Sequence, residues 1–198
     1  NLEVNHKIII NKKIPIGGGL GGGSSNAAHT LIALNKLYGL DISQRELSVL
    51  SQKIGSDVPF FIKGGIKEVQ GKGDIINKVD NTKIINKIFL LVFPNFSVST
   101  KWAYKEIKKH LDTLKIRPKF PPLTGKVNWE LFENDFEHII CLTYPEILNI
   151  KNMLYKYGAI YSGLSGSGST MFGIYDKMES VHQAIEHLGR YQTFITTP

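Results

Sequence analysis

The sequence predicts an α+β fold built as two lobes. Segments with helical and with strand-like hydrophobic periodicity are interleaved along the 198 residues, and glycine-rich turns separate them. A polar stretch over residues 79–86 then divides the chain, so we expect one lobe in residues 1–86 and another in residues 87–198. With 42% hydrophobic residues, the chain can bury a sizeable core.

The composition indicates the compartment and the kind of partner that the protein is expected to have. Cys141 is the single cysteine, so an intramolecular disulfide is impossible and a reducing cytoplasm fits. No apolar run approaches the roughly 18 residues that a membrane span needs. The net charge of +7 is spread over dispersed lysines rather than gathered into one basic block, which disfavours nucleic acid as the partner.

A glycine-rich stretch dominates the first lobe. Residues 7–13 are predicted to form a strand that delivers Lys12 to residues 15–26, where six of twelve residues are glycine. Glycine lets backbone N–H groups turn towards an anion, so a phosphate is the expected occupant. An amphipathic helix follows, with Ala27, Leu31, Leu34 and Tyr38 on one face.

Other glycine-loop classes fit this stretch poorly. A dinucleotide-binding fingerprint would follow a buried strand directly, and a Walker A loop would place lysine where Gly23 stands. A protein kinase would need a His-Arg-Asp catalytic loop, and a flexible linker would lack both the Pro15 entry and the amphipathic exit.

Asp57 is the second candidate site residue. Ser43 and Glu46 form a predicted capping box that opens a helix ending near Gly55. Pro59 is tolerated only in the first turn of a new helix, which places Asp57 at that helix N-terminus. The pattern alone leaves two interpretations open: an ordinary helix cap, or an ionised carboxylate available as a proton acceptor.

The remaining segments complete both lobes. A hairpin strand is expected over residues 66–70, with the turn at residues 71–74. In the second lobe we expect a strand at residues 88–93, a helix capped by Ser99, a proline-rich connection at 115–128, a helix opened by Pro145, strands at 159–161 and 171–175 around a glycine-rich loop at 162–170, a helix at 178–188 and a strand at 191–196. That order is compatible with a ferredoxin-like antiparallel sheet.

Three motifs together resemble the GHMP kinase superfamily. They are Gly-Gly-Gly-Leu-Gly-Gly-Gly-Ser-Ser-Asn-Ala-Ala from Gly17, Gly-Ser-Asp-Val-Pro-Phe from Gly55, and the loop at residues 162–170. The resemblance covers nearly the whole chain. It implies a ribosomal-S5-like N-terminal lobe, a ferredoxin-like C-terminal lobe and an active site in the cleft between them. It also implies that a strand and a lysine-bearing segment precede residue 1.

The resemblance assigns roles to individual residues. ATP is expected to bind at Lys12, Pro15, Gly17, Gly18, Gly19, Leu20, Gly21, Gly22, Gly23, Ser24 and Ser25, with the Ser25 hydroxyl towards Mg²⁺. Asp57 is expected to take the proton from the acceptor hydroxyl. The substrate would contact Thr100, Tyr104, Gly166, Ser167 and Gly168, with the Tyr104 ring stacked on a nucleobase. The segment Asn-Asp-Phe-Glu from Asn134 resembles a family helix without an assigned role.

The resemblance also implies a small-molecule substrate. The most similar branch phosphorylates the 2-hydroxyl of a cytidine diphosphate-linked methylerythritol in non-mevalonate isoprenoid synthesis, as a cytoplasmic bacterial enzyme. A homoserine, galactose or mevalonate kinase is the alternative within the superfamily, and a non-catalytic nucleotide-binding module is the alternative outside it. We expect a monomer or weak homodimer, without nucleic-acid or membrane partners.

Overall fold

The computed structural model describes residues 6–79, 84–109 and 127–198. The first lobe contains three helices, α1 (Gly22–Leu37), α2 (Gln44–Ser51) and α3 (Val58–Lys63), and an antiparallel hairpin of β1 (Lys67–Gln70) and β2 (Ile75–Lys78). The helices bury a small cluster of apolar side chains, Ala28, Leu47, Val58 and Ile62. This cluster joins all three helices, so it fixes the orientation of α1 against α3.

The second lobe is a four-stranded antiparallel sheet with helices. Its elements are β3 (Ile88–Phe93), α4 (Thr100–Lys108), a 3₁₀ turn (Trp129–Leu131), α5 (Asp135–Thr143), α6 (Pro145–Lys156), β4 (Tyr161–Leu164), β5 (Met171–Tyr175), α7 (Met178–His187) and β6 (Gln192–Thr196). The strand order is β4-β5-β3-β6, with every neighbouring pair antiparallel. This is the ferredoxin-like arrangement expected from the sequence, although the described residues between β3 and β4 contain three α-helices rather than two.

The main core lies on one face of this sheet. Along β3 and β5, alternate residues point inwards, so Leu90, Val92, Met171 and Tyr175 are all fully buried. Ile147, Ile150 and Leu154 of α6 pack on them together with Val181 and Ala184 of α7. The helix periodicity of 3.6 and the strand periodicity of 2 therefore meet in one apolar layer.

The opposite face of the sheet carries aromatic side chains. Phe89, Tyr161 and Phe172 line a cavity of about 1210 Å³ together with Trp129 and Phe132. Burial raises the pKa of the Tyr161 hydroxyl, which donates a hydrogen bond to the Phe132 carbonyl. The cavity is thus bounded by the sheet, by the segment that leads into α5 and by residues 65–67 of the first lobe.

Most of the predicted elements are present, but one predicted strand is absent and one strand has a different boundary. The α+β class, the Ser43–Glu46 capping box and the Ser99 cap are confirmed. The predicted strand over residues 7–13 is wrong: these residues form no regular structure, and the side chain of Ile9 is 70% exposed. A strand requires a pairing partner, and none of the described segments pairs with these residues. Strand β4 also continues to Leu164, so the loop before β5 is shorter than predicted.

Some predictions lie outside the described residues. The spacing of Ala103, Ile107, Leu111 and Leu114 predicts that all four lie on the core face of the helix capped by Ser99, but Leu111 and Leu114 fall in this group. Most of the connection at residues 115–128 does so as well. The lobe division between residues 86 and 87 stays a prediction. Within the described ranges, no helix has the length and apolar character to cross a bilayer.

Candidate functional site

The first glycine loop, residues 15–23, alternates in backbone handedness. Gly17, Gly19 and Gly21 have φ angles of 79°, 76° and 62°, whereas the intervening Gly18 and Leu20 do not have positive φ. Alternation of this kind turns successive N–H groups towards one side of the chain, as in anion-binding nests. Gly21 caps α1 in the left-handed conformation, so Gly22, Gly23, Ser24 and Ser25 form the first turn of that helix, as the sequence predicted.

The second glycine loop, residues 165–170, interlocks with the first. The Thr170 N–H donates to the Gly18 carbonyl at 3.2 Å, and the Ser165 hydroxyl donates to the Gly19 carbonyl at 3.0 Å. A Cβ at Gly19 would collide with the Ser165 carbonyl oxygen, and a Cβ at Gly166 would lie 2.9 Å from the Gly19 carbonyl oxygen. Both loops therefore need glycine because their backbones touch.

Two glycines of the first loop have a different environment. Gly23 has no neighbouring atom within 4 Å of a Cβ position, and Gly22 has only the Lys12 ammonium, at 3.8 Å. These residues open α1, where N–H groups lack intrahelical partners and the helix dipole attracts anions. The Lys12 Nζ lies 3.5 Å from the Gly22 carbonyl oxygen, which adds a positive charge beside the same helix end. This surface combines accessible backbone donors with positive charge.

Asp57 lies at the N-terminus of α3 but does not cap it. Its side chain is exposed and makes no capping hydrogen bond to the helix. Within the described part of the chain it accepts a single long hydrogen bond, of 3.3 Å, from the Ser56 hydroxyl. The carboxylate is therefore open to a ligand, which disfavours the ordinary helix cap as its role. One turn further along α3, the Phe61 ring would lie 2.9 Å from a Cβ at Gly21, so α3 adjoins the first glycine loop.

The β1–β2 turn supports the segment that carries Asp57. Gly73 has a φ angle of 92°, and its Cα faces Ser56 so closely that a Cβ would meet the Ser56 carbonyl oxygen and lie 3.3 Å from its Cβ. Asp74 holds this turn by accepting the Lys72 N–H at 2.8 Å. The hairpin therefore contacts the residue immediately before Asp57.

The predicted substrate residues meet at the start of α4. The hydroxyls of Thr100 and Ser167 lie 3.1 Å apart, which joins α4 to the second glycine loop. Tyr104 lies one turn beyond Thr100, is 54% exposed, and packs edge-on against Phe136 with 4.9 Å between ring centroids. Tyr104 is thus half-exposed, and Phe136 packs against its ring.

Sequence reasoning gave no role to two residues that hold the second glycine loop. The Asn134 side-chain amide donates to the Leu164 carbonyl at 2.9 Å and to the Gly166 carbonyl at 2.8 Å. The Glu137 carboxylate accepts the Leu164 N–H at 2.9 Å and pairs with Lys151. Their spacing of three places them on one helix face, and an asparagine preceding an acidic helix start was a visible signal for a cap.

The structure therefore joins the two glycine loops to the start of α4, and α3 adjoins the first of these loops through Phe61. The described residues contain no group of three His, Cys, Asp or Glu side chains able to hold an ion. The metal role of Ser25 therefore stays a prediction. The large cavity beneath the sheet is lined by Asn134 and Leu164, but not by Asp57 or by the first glycine loop.

Comparison with known protein families gives two matches along the chain. The profile of the GHMP kinases N terminal domain matches residues 2–65, and the profile of GHMP kinases C terminal matches residues 127–192. The first match contains the first glycine loop and Asp57, and the second contains Asn134 and the second glycine loop.

Relatives with this pattern are named 4-diphosphocytidyl-2-C-methyl-D-erythritol kinase. The protein of Thermodesulfovibrio yellowstonii is 38% identical over 200 residues, covering 93% of this chain and 67% of that protein. The protein of Hahella chejuensis is 39% identical over 189 residues, covering 95% of this chain and 61% of that protein. The chain thus spans about two thirds of the length of these relatives or somewhat less.

Solved structures show the same architecture. A 4-(cytidine 5'-diphospho)-2C-methyl-D-erythritol kinase superposes with a TM-score of 0.72 at 27% identity, covering 93% of this chain and 67% of that one. A homoserine kinase from Cytophaga hutchinsonii superposes with a TM-score of 0.71 at 18% identity, covering 94% of this chain and 68% of that one. The second likeness concerns the fold alone.

Proposed function

This chain belongs to the GHMP kinase family, and we propose that it transfers the γ-phosphoryl group of ATP to the 2-hydroxyl of 4-diphosphocytidyl-2-C-methyl-D-erythritol in non-mevalonate isoprenoid synthesis. The similarity to kinases of that name supports the substrate. The observation that carries the chemistry is the Asp57 carboxylate, which is exposed at the start of α3 and makes no capping hydrogen bond there.

The first glycine loop binds the triphosphate. Gly22 and Gly23 offer N–H groups at the α1 start, and the Lys12 ammonium lies beside them. The Ser25 hydroxyl would hold Mg²⁺, which would supply charge neutralisation at the phosphates when bound. The interlock with the second glycine loop keeps the position of this helix start fixed relative to Thr100.

Asp57 is the general base. Its carboxylate takes the proton from the acceptor hydroxyl while the hydroxyl oxygen bonds to the γ-phosphorus and the bond to the bridging oxygen of ADP breaks. Phosphoryl transfer depends mainly on positioning and charge neutralisation, so one aligned carboxylate is sufficient as the proton acceptor. Thr100 and Tyr104 orient the acceptor, with the Tyr104 ring against cytosine. The protein acts in the cytoplasm on a small molecule.

The test measures ADP release by the full-length protein with the cytidyl alcohol, homoserine, mevalonate or galactose as acceptor. We expect turnover with the first alone, and turnover with homoserine but not with the cytidyl alcohol would overturn the substrate assignment. Asp57→Asn should lower kcat by about 10²–10⁴-fold and leave the ATP affinity unchanged.

Asp176→Asn is the matched control. Asp176 pairs with Lys87 at the end of β5 remote from the second glycine loop, so its neutralisation should leave kcat unchanged. A non-catalytic nucleotide-binding module would show no turnover in the wild type and the same ATP affinity in both variants.

A further inference from the structure

We propose that Asn134 is a positioning residue for the acceptor, because it holds the second glycine loop in the shape that presents Ser167 to Thr100. This inference rests on the proposed function for its ligand. The role belongs to the Asn134 side-chain amide, which reaches the loop from the N-terminus of α5.

The contacts of Asn134 divide between two tasks. Its Oδ1 accepts the Phe136 N–H at 2.9 Å and caps α5. Its Nδ2 donates to the carbonyls of Leu164 and Gly166, at 2.9 and 2.8 Å. One amide thus uses its acceptor within the helix and both donors on the loop, which is its full capacity of two N–H donors.

The loop has a nucleotide side and an acceptor side. On the nucleotide side, the Thr170 N–H and the Ser165 hydroxyl hold Gly18 and Gly19, and the Ser165 N–H donates to the Thr170 carbonyl at 2.9 Å. None of these bonds uses Asn134. The bonds on this side are therefore independent of the Asn134 amide.

On the acceptor side, Gly166 precedes the residue that contacts α4. Gly166 has a φ angle of 54° and depends on Asn134 for the hydrogen bond to its carbonyl, while the following Ser167 is 8% exposed and meets the Thr100 hydroxyl. A left-handed glycine has many alternative conformations, so the Asn134 hydrogen bond acts together with the contact between Gly166 and Gly19 to select one. Loss of the Asn134 donors should therefore increase the mobility of Ser167. It should weaken binding of the acceptor more than binding of the nucleotide.

The substitution Asn134→Ser separates the two tasks. Serine is a good N-cap and keeps an oxygen for the Phe136 N–H, but it cannot reach both loop carbonyls. We expect the KM for the cytidyl alcohol to rise roughly five- to hundredfold, as two hydrogen bonds of ordinary strength are lost. The ATP affinity should stay within about twofold, and kcat at saturating acceptor should fall less than kcat/KM.

Asn128→Ser is the matched control. Asn128 caps the 3₁₀ turn by accepting the Glu130 N–H at 3.2 Å, so the same replacement is made at another cap. Its kinetic constants should equal those of the wild type. Asn134→Asp keeps the cap but directs a carboxylate at two carbonyl oxygens, so its acceptor KM should rise further than that of Asn134→Ser.

Hydrogen exchange measured by mass spectrometry tests the loop itself. Peptides spanning residues 164–170 should exchange faster in Asn134→Ser than in the wild type or in Asn128→Ser. Unchanged exchange, or acceptor KM and ATP affinity that weaken together, would overturn the proposal. Absence of phosphotransfer in the wild type would refute the proposed function, while the exchange result would still decide whether Asn134 holds the loop.

Discussion

The replacement Gly19→Ala tests the contact between the two glycine loops. The added methyl group would collide with the Ser165 carbonyl oxygen and lie 3.0 Å from the carbonyl oxygen of Gly168. Both obstacles are backbone atoms, so no side chain can rotate away. The φ angle of 76° adds a conformational penalty for a residue with a Cβ. The two costs together amount to about 2–5 kcal/mol.

The assay is thermal unfolding followed by circular dichroism, with Gly23→Ala as the control. For a chain of this size, a loss of 2–5 kcal/mol corresponds to a decrease in Tm of roughly 4–20 °C. Gly23 lies in the first turn of α1 with open space around it, so the same replacement should stabilise the protein by about 0.4–1 kcal/mol. Equal Tm values for Gly19→Ala and the wild type would show that the loops do not pack as described.

Three further predictions concern α4 and the sheet. Tyr104→Ala should raise the KM for the cytidyl alcohol roughly 5- to 150-fold, as expected for loss of one stacking ring. Tyr104→Phe keeps the ring and should leave this KM unchanged. Steady-state kinetics measure both values, and equal effects of the two substitutions would exclude stacking. Ser99→Ala removes the oxygen that accepts the Trp102 N–H at 3.3 Å, so urea unfolding should report a loss of about 1 kcal/mol. Burial raises the pKa of the Tyr175 hydroxyl, so this residue stabilises the fold fully below the pKa of an unfolded tyrosine, near 10, and progressively less above it. The free energy of unfolding should therefore fall less steeply between pH 9 and 11 in Tyr175→Phe, and an unchanged slope would contradict this reasoning.

Local signals were sufficient to predict most of the second lobe. The apolar run at Ile88–Phe93 has the length of a buried strand, and Ser99 has the cap that opens α4. The strand order could only be called compatible with a ferredoxin-like sheet, because register depends on pairing between strands about 80 residues apart. The failed strand at residues 7–13 has the same cause: an apolar run shows β-propensity, but pairing requires a partner strand.

The sequence predicted which residues belong to the candidate site, but not the hydrogen bonds that hold the second glycine loop. Motif resemblance identified the loops, Asp57 and Thr100, and the structure brings the two loops and Thr100 into direct contact. The roles of these residues in binding and catalysis stay predictions. Asn134 received no role because its loop contacts span 30 and 32 residues, a separation that no local pattern reveals.

Glycine occurs in the first glycine loop for two separate reasons, which the sequence alone does not distinguish. At Gly18, Gly19 and Gly21, an added Cβ would meet protein atoms; at Gly18 it would lie 2.6 Å from Thr170 Oγ1. These three are required by packing against the second lobe and α3, whether or not a ligand is bound. Among the described residues, Gly22 and Gly23 have no such neighbours, and the close approach of a ligand would account for the missing side chains. The phosphate hypothesis therefore depends on the last two glycines, and the density of the preceding ones reflects the junction between the lobes.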